Sequence, residues 1–230
     1  MLRHTALFLH RDTTTPDQHL AMLKGLAYMR FECRGVRALD YGADIFGGSS
    51  RRWELKPWLR TPTWHAQQEG PVSNHDVALH LDFDDETGFD AYNEDEAHAE
   101  VGAYNASVNL GEFTARINYW YDGPPSIAAG HVRLCSLFLW APGAGDADKE
   151  RATAAMQGLE TAAGVDRVTI GHNVPLLRTD YDWIVDVHVA DRDVAEQVLA
   201  SGEYGRALEA VIPATRYEWT ARVAHVMRGL

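Results

Sequence analysis

The sequence has few of the features that define several large classes of protein. Its 230 residues include only two cysteines, Cys33 and Cys135, too few for a disulfide framework and too far apart for a metal-binding motif. No apolar run approaches the roughly 20 residues that a membrane helix needs, and the apolar stretch near the N-terminus is too short for a signal peptide. Lysine and arginine number 21 against 33 aspartate and glutamate, which gives a net charge of −12. We therefore expect a cytoplasmic protein that binds neither nucleic acid nor a membrane.

Motifs for common cofactors and nucleophiles are also absent. The sequence contains no phosphate-binding loop, dinucleotide fingerprint, nucleophile elbow or strong metal motif. We accordingly expect no cofactor and no metal, and we expect a small molecule as the partner. The apolar content of 46% and the charged content of 23% are typical of a globular protein with a real core.

The sequence does contain an internal repeat. Arg133 lies 130 positions after Arg3, and Arg222 lies 106 positions after Arg116, so the first half has about 24 extra residues. Four segments repeat in the same order: 3–9 with 133–139, the glycines 35 and 42 with 164 and 171, 75–79 with 181–185, and 113–117 with 219–223. The extra residues fall between the second of these glycines and the third segment.

Each half has the pattern strand, helix, strand, strand, helix, strand. This pattern predicts an α+β fold of two tandem ferredoxin-like units, each an antiparallel four-stranded sheet with helices on one face. The open faces of the two sheets can cover each other, which makes an intramolecular dimeric α/β barrel. We predict units at 1–121 and 132–230, joined by a turn-rich linker and with an insertion at 45–74 in the first.

Four stretches carry a family resemblance: 3–8, 35–36, 76–83 and 92–98. On these residues the chain resembles the stress-responsive dimeric A/B barrel family, and the resemblance covers nearly the whole chain as two family units. Most members are single units that dimerise, so the resemblance implies an internal pseudo-dimer that could associate further. The family includes olivetolic acid cyclase-like polyketide cyclases, plant hydroxynitrile lyases and proteins with no assigned reaction, so the fold alone does not choose the activity.

The resemblance also implies a set of site residues. By similarity to the cyclase-like members, His98 would be the general base, Tyr92 the donor to a developing oxyanion, and His4 a supporting group. Tyr28 and Val77 would line the same substrate pocket. The other interpretation of a Tyr and a His on a helix is ordinary packing with satisfied polar tips.

The spacing of Tyr92 and His98 can be tested against helix geometry. Six residues on one unbroken helix place two side chains about 240° apart, on different faces. They can converge only if the helix breaks between them. Asp95 is a suitable N-cap for a new helix in which His98 is the third residue.

The second half provides an internal comparison. The repeat aligns the three candidate polar residues of the first half with apolar or unlike residues of the second: His4 with Leu134, Tyr92 with Val198, and His98 with Tyr204. The three candidate groups are thus lost together, which favours one working half and one scaffold half. The alternative is random drift in a non-catalytic fold.

The insertion concentrates aromatic and basic residues in one loop. Trp53, Trp58 and Arg60 are candidates for substrate binding, as a lid over the pocket of the first half. The alternative is a packing flap over a sheet edge or a subunit interface.

Two histidines and two aspartates occupy repeated strand positions in opposite order, namely His80 and Asp82 in the first half and Asp186 and His188 in the second. We expect ion pairs between the two halves here in preference to a metal site.

Taken together, these features favour a cofactor-independent cyclase, lyase or isomerase that acts on a small, carbonyl-rich, polyketide-like substrate. The alternatives are a non-catalytic stress-responsive or ligand-binding barrel and a cofactor-free monooxygenase.

Overall fold

The computed structural model describes residues 1–46, 74–122, 129–176 and 179–229. Two antiparallel four-stranded sheets form its core, with strand orders β2-β3-β1-β4 and β6-β7-β5-β8. The first sheet contains β1 (Leu2–Phe8), β2 (Ala38–Ala43), β3 (Val77–Phe83) and β4 (Ala115–Trp120). The second contains β5 (Val132–Phe138), β6 (Val165–His172), β7 (Trp183–Val189) and β8 (Ala221–Val226).

Helices cover one face of each sheet. In the first half they are α1 (Pro16–Glu32), α2 (Glu86–Asn93) and α3 (Glu96–Val108), and in the second half α4 (Asp146–Gln157), α5 (Arg192–Leu199) and α6 (Gly202–Ala214). None of these helices is long and apolar enough to cross a bilayer. The prediction of two tandem ferredoxin-like α+β units is confirmed.

The helix that follows the third strand is broken in both halves. Asp95 accepts a hydrogen bond from the backbone N–H of Ala97 and begins α3, as predicted. In the second half the repeated pattern of strands and helices predicts a single helix after the third strand, over 191–212, and this is wrong. The structure has two helices there, because Ser201 accepts a hydrogen bond from the backbone N–H of Tyr204 and caps α6.

Alternation along β1 divides the two faces of the first sheet. His4, Ala6 and Phe8 face the helices, and Leu7 belongs to an apolar cluster between the sheets. That cluster draws on both sheets, with Ala78, Ile117 and Tyr119 from the first and Leu137, Ile184 and Val223 from the second. The two sheets therefore pack face to face, as predicted.

The chain just after the second strand of each half crosses to the other half. The N–H of Ile45 donates to the carbonyl of Ala224 at 2.8 Å, and the N–H of Val174 donates to the carbonyl of Asn118 at 2.7 Å. These hydrogen bonds join the sheets at two opposite edges and close the barrel.

Two repeated glycines make this closure possible. A Cβ atom on Gly42 would lie 2.8 Å from the Cβ of His225, and one on Gly171 would overlap the ring of Tyr119. Each glycine thus lets an aromatic ring of the opposite half lie directly on the strand backbone, which explains why both recur in the repeat.

The barrel interior also contains buried charges. Arg3 pairs with Asp82 at 2.6 Å and lies 3.8 Å from Asp186 of the other sheet. Arg133 lies 3.5 Å from Asp40. The sequence predicted ion pairs of Asp82 and Asp186 with the histidines His80 and His188. Within the described ranges the guanidinium groups neutralise the carboxylates instead, because Arg3 and Arg133 point inward from the central strands.

Candidate active site

A cavity of about 570 Å³ lies between the first sheet and its helices. Strand β1 contributes His4, α2 contributes Tyr92, and α3 contributes His98 to its lining. Phe8 and Phe89 form part of the apolar wall. The structure therefore brings the three candidate polar residues of the first half together.

The break between α2 and α3 sets the geometry of Tyr92 and His98. Their rings stack with centroids 4.0 Å apart and planes inclined by 27°. Asp95 fixes the break, since its side chain caps α3 and also accepts hydrogen bonds from the backbone N–H and the guanidinium of Arg34. The chain direction changes at the break, so two side chains six residues apart meet on one side.

His4 is held by a neighbouring strand. Its Nδ1 lies 2.7 Å from Oδ1 of Asn118, which can only accept, so Nδ1 carries the proton and Nε2 carries the lone pair. Burial lowers the pKa of His4 to about 4, a value that already includes the opposing effect of the Asn118 hydrogen bond and a smaller lowering by the charge of Arg116. His4 is therefore neutral at physiological pH and presents an acceptor.

Tyr92 is almost completely enclosed, with 2% of its surface exposed. Burial raises the pKa of its hydroxyl well above the usual value, and the neighbouring Cys33 raises it further. Among the described residues we find no hydrogen-bond partner for this hydroxyl, although it belongs to a residue that lines the cavity. A protonated hydroxyl in such a place can donate to a bound ligand.

Arg116 and several asparagines were not identified from the sequence. Arg116 lines the cavity from β4 and pairs with Asp180 of the second half at 3.2 Å. Asn105 and Asn109 line it from the end of α3, and Oδ1 of Asn105 is buried without a hydrogen-bond partner in the described part of the chain. Arg116 lies in a repeated segment and alternates with the buried Ile117, and that alternation was the available indication.

The remaining predicted substrate-binding residues do not line the cavity or cannot be placed. Tyr28 is 53% exposed, because it faces solvent from α1 while Met29, its neighbour, lines the cavity. Val77 is fully buried in the apolar core of the first half and is not part of the lining. The prediction that Trp53, Trp58 and Arg60 form a lid lies outside the described residues.

Among the described residues of the second half, the space at the counterpart position is small. Leu134 and Tyr204, which replace His4 and His98, border a space of only about 20 Å³. Phe46, which arrives from the end of β2, lies against the same space and packs on the core of the second half. The two halves therefore differ both in the residues at these positions and in the volume available to a ligand.

Comparisons with known proteins bear on the fold. No protein-family model and no curated protein matches the sequence. Among solved structures, an anthrone oxidase-like protein superposes with a TM-score of 0.66 at 9% identity, covering 100% of this chain and 92% of that chain. A candidate monooxygenase of Fusobacterium nucleatum superposes with a TM-score of 0.59 at 10% identity, covering 98% and 91%.

Both halves have the ferredoxin-like fold. A further candidate monooxygenase, from Lactobacillus acidophilus, has a TM-score of 0.50 at 12% identity and covers 99% of this chain and 92% of that chain. All three structures match the tandem ferredoxin-like chain over nearly its whole length. At such low identity the likeness is one of fold, and the chemistry has to be argued from the cavity itself.

Proposed function

We propose that this chain is a cofactor-independent enzyme that binds a small, carbonyl-rich substrate in the cavity of the first half and removes a proton from carbon. The observation that carries this proposal is the meeting of Tyr92, His98 and His4 around about 570 Å³, against about 20 Å³ at the counterpart position. A cavity of this size fits a small organic molecule. The aromatic walls suit a planar or conjugated substrate.

In the first step His98 acts as the base and Tyr92 as the hydrogen-bond donor. His98 takes a proton from a carbon flanked by carbonyl groups, and the electrons of the broken C–H bond move onto a carbonyl oxygen to form an enolate. Tyr92 donates its hydroxyl hydrogen bond to that oxygen, a role that its raised pKa favours because the hydroxyl stays protonated. The stacking of the two rings at 4.0 Å lets both act on one small group.

His4 and Arg116 help to bind the substrate and its enolate, but neither takes the proton from carbon. A pKa of about 4 makes His4 too weak a base for efficient catalysis near neutral pH, but its Nε2 can accept a hydrogen bond from a substrate hydroxyl. The positive charge of Arg116 at the cavity wall favours an enolate or another anionic group.

The next reaction of the enolate determines which product forms. In a cyclase its carbon attacks a second carbonyl of the same molecule, a carbon–carbon bond forms, and protonated His98 returns the proton to the new alkoxide. In a lyase the same base and donor promote cleavage of a carbon–carbon bond. In an isomerase they return the proton to another carbon. A polyketide-like intermediate has the required adjacent carbonyls.

A cofactor-free oxygenase is the second candidate, favoured by the superposition with the anthrone oxidase-like protein. The same enolate would be oxidised by molecular oxygen, and a CH2 group and O2 would become a carbonyl and water. This reaction shares its first step with cyclisation, so the two candidates differ in their need for oxygen.

The test is turnover of a panel of aromatic and polyketide-like carbonyl compounds in air and under nitrogen, followed by product mass. We expect turnover by the native protein and a loss of about 10²- to 10⁴-fold in His98→Ala. The matched control is Tyr204→Phe, at the counterpart position of the second half, which should keep full activity.

Each result selects one interpretation. Products that form under nitrogen support the cyclase, lyase or isomerase, and a strict oxygen requirement supports the oxygenase. Binding that weakens in His98→Ala without any turnover would instead identify a non-catalytic ligand-binding barrel. If no compound binds, or if His98→Ala is as active as the native protein, the proposal fails.

A further inference from the structure

A second cluster of side chains with metal-binding chemistry lies inside the barrel, on the opposite face of the first sheet from the cavity. It consists of Asp40 on β2, His80 on β3 and His225 on β8. One ligand atom from each lies within 4.8 Å of the other two, and none of the three residues is more than 2% exposed. We propose that these three residues hold one divalent transition-metal ion, which links the two halves of the chain.

The distances between these three side chains fit a metal site, which would need them to move only slightly closer together. Nε2 of His225 lies 3.1 Å from Oδ2 of Asp40, and the rings of His225 and His80 stack with centroids 5.3 Å apart. Imidazole nitrogen and carboxylate oxygen bind zinc at about 2.0–2.2 Å, so two ligands of a tetrahedral ion lie about 3–3.5 Å apart. The Asp40–His225 distance already falls in this range.

His80 has the environment of a ligating histidine. Its Nδ1 lies 2.9 Å from the hydroxyl oxygen of Thr5, which fixes the ring orientation. Its Nε2 is buried and has no hydrogen-bond partner in the described part of the chain. A buried nitrogen of this kind normally has a partner, and ligating histidines characteristically bond through one nitrogen and are oriented through the other.

Asp40 is likewise prepared as a ligand. Its Oδ1 accepts a hydrogen bond from the backbone N–H of Arg228 at 3.0 Å, which directs Oδ2 toward His225. Arg133 approaches the same oxygen at 3.5 Å without forming a hydrogen bond to it.

The charge of the barrel interior favours a cation as the ligand. Three buried carboxylates share this space with two buried guanidinium groups; the residues are Asp40, Asp82, Asp186, Arg3 and Arg133. The carboxylates outnumber the guanidinium groups by one, and a bound cation would offset that excess.

An ion at this place would act as a structural link. Asp40 and His80 belong to the first half, and His225 belongs to the last strand of the second half. Because an ion bound in the folded chain stabilises it by mass action, metal removal should lower the melting temperature.

The experiment uses the full chain without a histidine tag, purified and dialysed against chelator and then titrated with Co²⁺ and Zn²⁺. We expect one equivalent of Co²⁺ with visible absorption typical of tetrahedral or five-coordinate cobalt, displaced by Zn²⁺, together with a rise in melting temperature. His80→Asn and His225→Asn should each weaken Co²⁺ binding by about 100-fold or more. Two control variants should bind normally: His188→Asn, buried in the same interior, and His98→Ala, in the cavity of the first half.

Three outcomes would overturn the proposal. The native protein could fail to bind an equivalent of either ion, which would leave a metal-free hydrogen bond between His225 and Asp40. The ion could survive both substitutions, or it could be lost in His98→Ala, which would place it in the cavity. The measurement on the native protein decides the matter even if His80→Asn or His225→Asn does not fold.

Discussion

At the scale of single residues, Tyr92 combines two properties that are usually separate. Its ring packs in the core of the first half, where Phe83 and Phe89 lie against it with centroids 5.4 and 6.4 Å away. Its hydroxyl has no hydrogen-bond partner among the described residues. The ring therefore contributes to packing, whereas the hydroxyl is available to a ligand.

The substitution Tyr92→Phe separates these two contributions. We expect the free energy of unfolding to change by less than about 1 kcal/mol, because the ring stays and no protein hydrogen bond is lost. The turnover rate should fall by about 10²- to 10³-fold, as it does when one oxyanion donor is removed. Urea denaturation and steady-state kinetics measure the two effects, and a variant that is fully active would rule out the donor role.

His4 predicts a pH dependence of stability. Its pKa is about 4 in the folded chain and about 6.5 when unfolded, so below pH 6.5 the unfolded chain binds more protons. The contribution of His4 is therefore complete above pH 6.5 and is lost as the pH falls toward 4. Between pH 8 and pH 5 the loss should be about 2 kcal/mol.

The measurement is urea denaturation at several pH values for the native protein and for His4→Asn. The variant should show a flatter dependence of unfolding free energy on pH between 6.5 and 4. Parallel curves for the two proteins would mean that His4 is not held neutral in the fold.

At the scale of elements, the break between α2 and α3 connects helix capping to chemistry. Asp95 caps α3, and Ser201 caps the counterpart helix α6. Each side chain caps a helix, but Asp95 also accepts hydrogen bonds from Arg34, and only Asp95 lies at a break that brings a histidine against a tyrosine. The pair therefore offers a matched comparison of structure with function.

We expect Ser201→Ala to lower the melting temperature by about 2–4 °C, as the loss of one helix cap does in a chain of this size, and Asp95→Ala to lower it further because the hydrogen bonds from Arg34 are also lost. Only Asp95→Ala should also reduce turnover, because the start of α3 carries His98. Calorimetry and kinetics on both variants provide the check. Equal activity in the two variants would show that the position of His98 does not depend on the cap.

The elements also show how far the sequence could lead. The repeat predicted both sheets, and Asp95 predicted the first helix break, because both depend on local patterns. The break at Ser201 was missed because the surrounding apolar residues continue a helical period across it. Arg116 was missed because its role depends on which face of β4 meets the helices, and that is decided by packing.

The charged interior of the barrel was only partly predictable for the same reason. The opposite order of His80 and Asp82 in the first half and Asp186 and His188 in the second predicted charged side chains between the two halves. The sequence did not indicate that Arg3 and Arg133 would neutralise the carboxylates, since their partners come from strands far away in the chain. Contacts between the two sheets are set by the closure of the barrel.

At the scale of the whole molecule, the two halves predict the binding stoichiometry. Calorimetric titration with a compound that binds the cavity should give one site per chain, because the described residues of the second half leave about 20 Å³ at the counterpart position, against about 570 Å³ in the first. Tyr204→Phe should leave affinity unchanged, whereas His98→Ala should weaken it. Two equivalent sites per chain would contradict the division into a working half and a scaffold half.

His225 and Tyr119 occupy counterpart positions, and each packs against a glycine of the opposite half. A barrel assembled from two identical chains must carry the same residue at both places, so every mutation is made twice. Fusion into one chain removes that restriction. The helix-covered side of the second half can then change independently of the first, and a protein engineer can vary it for solubility or heat resistance while the cavity of the first half stays constant.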